Sequence, residues 1–150
     1  MAPDTATVAP ATAADEEAIV ALWQAAGLTR PWNDPVADFR RALATPASDV
    51  LVARIGGSLA GAVMVGDDGH RGWVYYLGVD PQRRRRGIGG QLMAGAEDWL
   101  RRRGCDKIMF MVRNDNLATK AFYAALGYEE NAVVTMGRRL DDQGRGRSRS

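Results

Sequence analysis

Leu77-Gly78-Val79-Asp80-Pro81-Gln82-Arg83-Arg84-Arg85-Arg86-Gly87-Ile88-Gly89-Gly90 decides how this chain is read. The end of an apolar strand runs into a proline turn, four consecutive arginines and a glycine-rich turn that opens a helix. A helix N-terminus carries partial positive charge and unpaired N–H donors, so it favours anions over cations. Four arginines there make sense where an anionic ligand satisfies both the amides and the guanidiniums. The stretch therefore points to a phosphate-bearing ligand. Gly87, Gly89 and Gly90 let backbone N–H groups approach it without interference from a Cβ. Two phosphate motifs are excluded by spacing: a dinucleotide fingerprint needs glycine where Leu92 stands, and no Gly-Lys-Ser/Thr follows for a P-loop.

Working outward, the 150 residues are 46% hydrophobic and 25% charged, which predicts one globular domain with a core of useful size. No apolar run approaches the length of a membrane span and no leader pattern precedes residue 20, so a cytoplasmic location is expected. Cys105 and His70 are the only residues of their types, which leaves no disulfide, no thiolate cluster and no histidine-rich metal site; no metal is expected. The net charge of +2 does not argue for nucleic acid. The polar tail 141–150 lacks apolar residues and reads as disordered, leaving residues 1–140 as the domain.

Patterning predicts a strand at Ala6–Ala9, a helix from Asp15 to Ala26 stopped by Gly27, and a second helix over about Val36–Ala44. Val50–Ile55 and Ser58–Val65 read as a hairpin across Gly56-Gly57, followed by a strand at Trp73–Val79 in which Gly78 suggests a bulge or a close backbone approach. A helix over Gly87–Arg103 follows, with Ile88, Leu92, Ala96 and Trp99 as its buried stripe. Lys107–Val112 reads as a central strand, Asn114-Asp115-Asn116 offers caps for a helix that ends near Leu126 and is stopped by Gly127, and Tyr128–Glu130 and Val133–Arg139 read as closing strands. The order β-α-α-β-β-β-α-β-α-β-β is that of a mixed α/β (α+β) fold.

Two blocks now carry a resemblance. Val79-x-Pro81 followed by Arg84-x-x-Gly87-x-Gly89 resembles the acyl-CoA-binding motif of the GNAT superfamily of N-acetyltransferases. Asn116-x-x-Thr119-x-x-Phe122-Tyr123-x-x-x-Gly127-Tyr128 resembles the second signature of that family, with Thr119 in place of its usual alanine. More narrowly, Leu22-Trp23, Leu28-Thr29-Arg30-Pro31-Trp32-Asn33-Asp34-Pro35, Asp68-Gly69-His70-Arg71-Gly72 and Tyr75-Tyr76-Leu77-Gly78-Val79 are similar to the YpeA-like bacterial acetyltransferases. The resemblance implies a mostly antiparallel central sheet with helices on both faces. It also implies a splayed strand pair, one strand ending at Leu77–Val79 and the other at Lys107–Val112.

The same resemblance implies acetyl-CoA as co-substrate, its pantetheine arm on the backbone of Leu77, Gly78 and Val79 and its pyrophosphate on the amides of Arg85, Arg86, Gly87, Ile88, Gly89 and Gly90. Arg84 suits a phosphate, with Arg83 as the arginine left to solvent. Asn116 implies a pantetheine contact, and its type also suits a helix N-cap. Tyr123 is the general acid that protonates the departing thiolate, although helix periodicity alone reads it as a half-buried aromatic. Many members of the family place a glutamate base on the strand Trp73-Val74-Tyr75-Tyr76, which here has no carboxylate. Asp68 is the candidate base. Arg30, Trp32, His70, Arg71 and Tyr75 are candidates for the acceptor side, where an arginine suits a carboxylate or phosphate.

The expected activity is direct transfer of an acetyl group to a primary amine of a small molecule or peptide. The alternative is a non-catalytic acyl-CoA sensor or partner subunit, motivated by the missing strand carboxylate. No nucleic acid or membrane partner is expected; a homodimer is compatible with the family.

Overall fold

The computed structural model describes residues 5–141. Two compact units divide between Arg113 and Asn114. The first holds a five-stranded sheet in the order β1 (Thr7–Pro10), β2 (Ser48–Ile55), β3 (Ser58–Asp67), β4 (Gly72–Val79), β5 (Ile108–Met109). All neighbours are antiparallel except β4 and β5, which run parallel. Gly56 and Gly57 join β2 to β3 with φ of 57° and 81°, the paired positive values that a two-residue hairpin turn requires.

Period-2 alternation sends successive residues to opposite faces. Val50, Val52 and Ala62 face helices α1 (Glu16–Ala25) and α2 (Pro35–Ala44), where they bury Ile19, Leu22, Trp23 and Phe39. Trp23 is wholly buried, edge-on to Phe39 at 6.4 Å and stacked on Tyr76 at 4.4 Å. Asp34 caps α2 by accepting from the Val36 and Ala37 N–H groups. Asp15, the expected cap of α1, instead accepts from the Thr12 N–H and pairs with Arg54, because a single turn of 3-10 helix over Ala13–Asp15 precedes α1.

Helix α3 (Ile88–Arg102) covers the other face and buries Ile88, Leu92, Met93, Ala96 and Leu100. Leu100 takes the place expected for Trp99, which lies half-buried with the Arg103 guanidinium 4.5 Å over its ring. The fit is set by small residues. A Cβ on Gly61 would lie 2.8 Å from Leu92 Cδ1 and 2.9 Å from the Gly78 carbonyl oxygen.

Two expected features differ. The strand expected over Lys107–Val112 pairs only at Gly72↔Ile108 and Trp73↔Met109, and as the last strand of the sheet it is an edge rather than a central strand. Beyond Met109, no strand among the described residues meets its N–H and C=O groups. The second unit contains α4 (Leu117–Ala125), capped by Asn116, whose Oδ1 accepts from the Thr119 N–H at 3.1 Å. Residues 128–140 form no strand. This unit holds no sheet for them to join, and Val134 and Met136 stand 85% and 89% exposed. Beyond Asp141, the expected tail lies outside the described residues.

Replacing Gly61 by alanine forces a Cβ against backbone and a buried leucine, an overpacking cost of about 1–3 kcal/mol. The expected outcome is a lower urea midpoint with an unchanged slope.

Candidate functional site

The site grows out of a break in β4. The register jumps from Met64↔Tyr75 to Ala62↔Gly78, so Tyr76 and Leu77 oppose the single residue Val63. This is a β-bulge, and Tyr76 takes the left-handed φ of 56° that makes it. The bulge therefore falls two residues before Gly78. Gly78 serves another need, since a Cβ there would lie 3.0 Å from Leu28 and 3.3 Å from Trp23. Pairing with β5 has ended at Trp73, so among the described residues no strand lines that side of β4 from Val74 to Val79. An extended amide-bearing chain can add to such an edge by main-chain hydrogen bonds.

The strand then delivers the chain into the arginine loop. Asp80 caps a short 3-10 turn, Pro81–Arg83, by accepting from the Gln82 N–H, and its own N–H donates to the Ala60 carbonyl. Arg85 and Gly87 have φ of 66° and 77°, with Arg86 between them at negative φ. Alternation of this kind turns successive N–H groups toward one concavity, a cradle for anions. The first bond of α3 runs from the Gln91 N–H to the Gly87 carbonyl, which leaves the Ile88, Gly89 and Gly90 N–H groups without helical partners. Arg84, Arg85 and Arg86 are exposed around this cradle. Loop and strand edge together fit a ligand with a diphosphate joined to an extended amide chain, which is the build of coenzyme A.

Arg83, expected to be left to solvent, is packed. Its Nη2 donates to Ser58 Oγ at 3.1 Å, its Nε lies 4.0 Å from the Asp80 carboxylate, and its Nη1 is buried. It ties the loop to the start of β3. The reason is its position at the end of the 3-10 turn, which points it back at the hairpin.

A cavity of about 530 Å³ opens beside the bulge. Leu28 and Asn33 of the α1–α2 loop line it, with Asp38, Arg41 and Ala42 of α2, Ser48, Met64, Tyr75, Tyr76 and Met111. The Tyr76 hydroxyl donates to Asp38 Oδ2 at 2.7 Å. Burial, and then the Asp38 carboxylate, raise the Tyr76 pKa strongly, so the phenol stays a donor. Burial also raises that of Tyr75, with a further push from the charge of Asp68.

Of the residues expected on the acceptor side, Tyr75 lines this cavity. Arg30 and Trp32 do not: the Arg30 guanidinium donates to the Gly27 and Thr29 carbonyls at 2.9 Å each, closing the end of α1, and Trp32 sits half-buried outside the lining. His70 and Arg71 lie in the β3–β4 turn, where Arg71 donates to the His70 carbonyl and stands 3.6 Å from Asp106. Seven strand steps separate that turn from the arginine loop, roughly 20 Å at the usual rise. Asp68 organises the same turn. Its Oδ1 accepts from the His70 and Arg71 N–H groups at 2.8 and 2.7 Å, and its Oδ2 from Trp73 Nε1 at 2.9 Å. The Arg71 and His70 amides hold its pKa below the ordinary carboxylate value, which makes it a weak base and a good clasp. In the second unit, Tyr123 meets Phe122 and Tyr128 edge-on, and burial pushes its pKa up to about 12.

Asp38 is the residue that sequence reasoning missed. A carboxylate in the first turn of a helix reads as a partner of the helix dipole, and only the Tyr76 bond reveals another task. Among the described residues, no group of three His, Cys, Asp or Glu side chains is placed to hold a metal, and no helix is long and apolar enough to cross a membrane.

These features suit an acyl-CoA-binding fold, and comparison with known proteins names the family. The family model described as the acetyltransferase (GNAT) family matches residues 17–128. An acetyltransferase of Pectobacterium atrosepticum is 48% identical over 126 residues, covering 84% of this chain and 89% of that protein. One from Sodalis glossinidius is 46% identical over 131 residues, covering 86% and 92%. The solved structure of AAC(6')-Iy in complex with the bisubstrate analogue CoA-S-monomethyl-acetylneamine shares the fold, with a TM-score of 0.78 at 20% identity, over 91% of this chain and 99% of that one. The chain belongs to the GNAT family and is an acetyl-CoA-dependent acetyltransferase.

Asp68→Asn keeps the Oδ1 acceptor and loses the charge. Because the folded pKa is depressed, the charge stabilises the fold above the ordinary carboxylate value, and that advantage is lost as pH falls through the folded pKa. The variant should melt below wild type at neutral pH and converge with it below about pH 4. Thermal melts across pH, run beside turnover, check this; the acetylation pH profile should keep its shape.

Proposed function

We propose that the enzyme transfers the acetyl group of acetyl-CoA directly to a primary amine of a small molecule or peptide. One observation carries the reading: the open edge of β4 at Leu77–Val79 leads straight into the N–H cradle of Arg85–Gly90. The backbone of Leu77, Gly78 and Val79 holds the pantetheine chain, and the cradle with Arg84, Arg85 and Arg86 holds the phosphates. Acetyl-CoA supplies the activated acyl group. The strand N–H near Leu77 stabilises the oxyanion that develops on the carbonyl. Holding the two reactants together supplies much of the acceleration.

The ammonium first gives one proton to solvent and becomes the nucleophile; as the C–N bond forms and the C–S bond breaks, the nitrogen gives a second proton to solvent and the thiolate gains one. Tyr123 gives that proton as general acid. With its pKa at about 12, the phenol is protonated throughout the working range. Asn116 serves both as the cap of α4 and, through its amide NH₂, as a contact to the pantetheine arm. Asp68 keeps to its turn, and the amine's proton is not routed through it.

Residues 1–140 form one catalytic domain in this reading, supported by a family match that runs across the division at Arg113. The stretches around Trp23, Arg30, His70 and Tyr75 support a YpeA-like bacterial subfamily, and a cytoplasmic location suits its co-substrate.

Tyr123→Phe should lower kcat at least 10-fold, within the range for loss of a general acid, and leave the Kd for acetyl-CoA within about threefold of wild type. Thiol release at saturating acetyl-CoA, beside calorimetric binding, checks this. Wild-type turnover in the variant sinks the general-acid role.

A further inference from the structure

We propose that the cavity beside the β4 bulge is the acceptor site and that it selects a small amine that also carries an anionic group. Asp38 receives the ammonium and Arg41 the carboxylate or phosphate. The inference rests on the amine-acetylating reading above and names the class of acceptor.

The first argument is place. Tyr75 and Tyr76 line the cavity and directly precede Leu77, so its mouth adjoins the strand segment assigned to the pantetheine arm. The volume of about 530 Å³ is that of a small-molecule site.

The second argument is charge. Asp38 and Arg41 stand one helical turn apart on α2 and both line the cavity, yet they form no ion pair with each other or with any described residue. Geometry permits such a pair: the same spacing gives Asp98–Arg101 at 3.2 Å and Asp80–Arg83 at 4.0 Å. Asp38 has a single side-chain partner, the neutral Tyr76 hydroxyl on Oδ2, so its Oδ1 remains to accept. One unpaired charge of each sign on one wall of a cavity is the complement of a molecule that bears both.

The third argument is fixation. Tyr76 is held in a left-handed backbone conformation, with its ring stacked on the buried Trp23 and its hydroxyl on Asp38. Strain of this kind persists where the surroundings impose it, and here it aims the carboxylate.

The test is a thiol-release assay with matched acceptors. Free α-amino acids are compared with their amides, an amino-sugar phosphate with the bare amino sugar, and both sets with a polyamine and an aminoglycoside. Amines with an anionic group should show kcat/KM at least 10-fold above their uncharged analogues, and the two pairs tell carboxylate from phosphate. Arg41→Ala should bring that ratio to within about threefold of one by raising KM about 10- to 100-fold for the anionic acceptors. Asp38→Asn, which still accepts from Tyr76, should lower kcat/KM while the thermal midpoint stays near wild type. Polycations acetylated as well as or better than the anionic amines, or a ratio untouched in Arg41→Ala, overturn the inference and leave amine acetylation standing. Acetyl-CoA bound in calorimetry with no amine acetylated overturns both.

Discussion

The left-handed turn of Tyr76 inside β4 is the constraint on which the site depends. A non-glycine residue there costs on the order of 1–3 kcal/mol and stays only where its neighbours impose it. The stack on Trp23, itself locked among Ile19, Leu22 and Phe39, and the bond to Asp38 do so. The extra residue re-aims the strand just past the point where β5 stops pairing. A straight β4 with a full β5 partner would have no free main-chain groups to offer. The exposed edge is therefore a product of the core beneath it: the same tryptophan that fills the α1 side sets the strand that the ligand meets.

The opposite face fixes where that edge ends. Helix α3 sits close because Gly61, Gly72 and Gly95 present no side chain to it or to its neighbours: Leu92 fits over Gly61, Leu100 over Gly72, and Val8 against Gly95. With the helix axis fixed, its first turn has one place to stand. Arg83, tied to Ser58 and Asp80, anchors the loop that joins strand to helix. The anion cradle is thus positioned from both ends by packing, while the exposed arginines around it contribute charge.

Most of the frame was legible in the sequence because it rests on local rules. Gly56-Gly57 demanded a tight hairpin, Asn116 offered a cap, and Gly87 and Gly104 bounded a helix; all appear where their chemistry puts them. What escaped depended on partners distant in the chain. Gly78 allowed either a bulge or a close approach, and only the distant Trp23 and Leu28 side chains decide for the second and leave the left-handed turn to Tyr76. Lys107–Val112 has the composition of a central strand, but pairing requires a neighbour, and β4 supplies one for only two residues. Arg83 looked like its three neighbours until the 3-10 turn folded it back on Ser58. The turn geometry of the arginine loop was legible because glycine spacing is written locally: Gly87 takes a positive φ and α3 begins at Ile88.

The distribution of paired and unpaired charge completes the picture. Away from the site, several charges meet opposites: Arg40 with Glu16, Arg101 with Glu97 and Asp98, Arg103 with Asp67, Lys120 with Glu130. Exposed pairs of this kind contribute roughly 0–1 kcal/mol each, so pairing everywhere would do little for stability. Leaving charges unpaired is correspondingly cheap at the surface and dear where water is scarce. Asp38 is half-buried and still has no cation. Arg84 and Arg85 crowd a helix start, where their own like charges and the helix dipole oppose them. On the proposed reading these charges meet something that arrives from outside: polyanionic at the loop, and of both signs at the cavity one strand segment away.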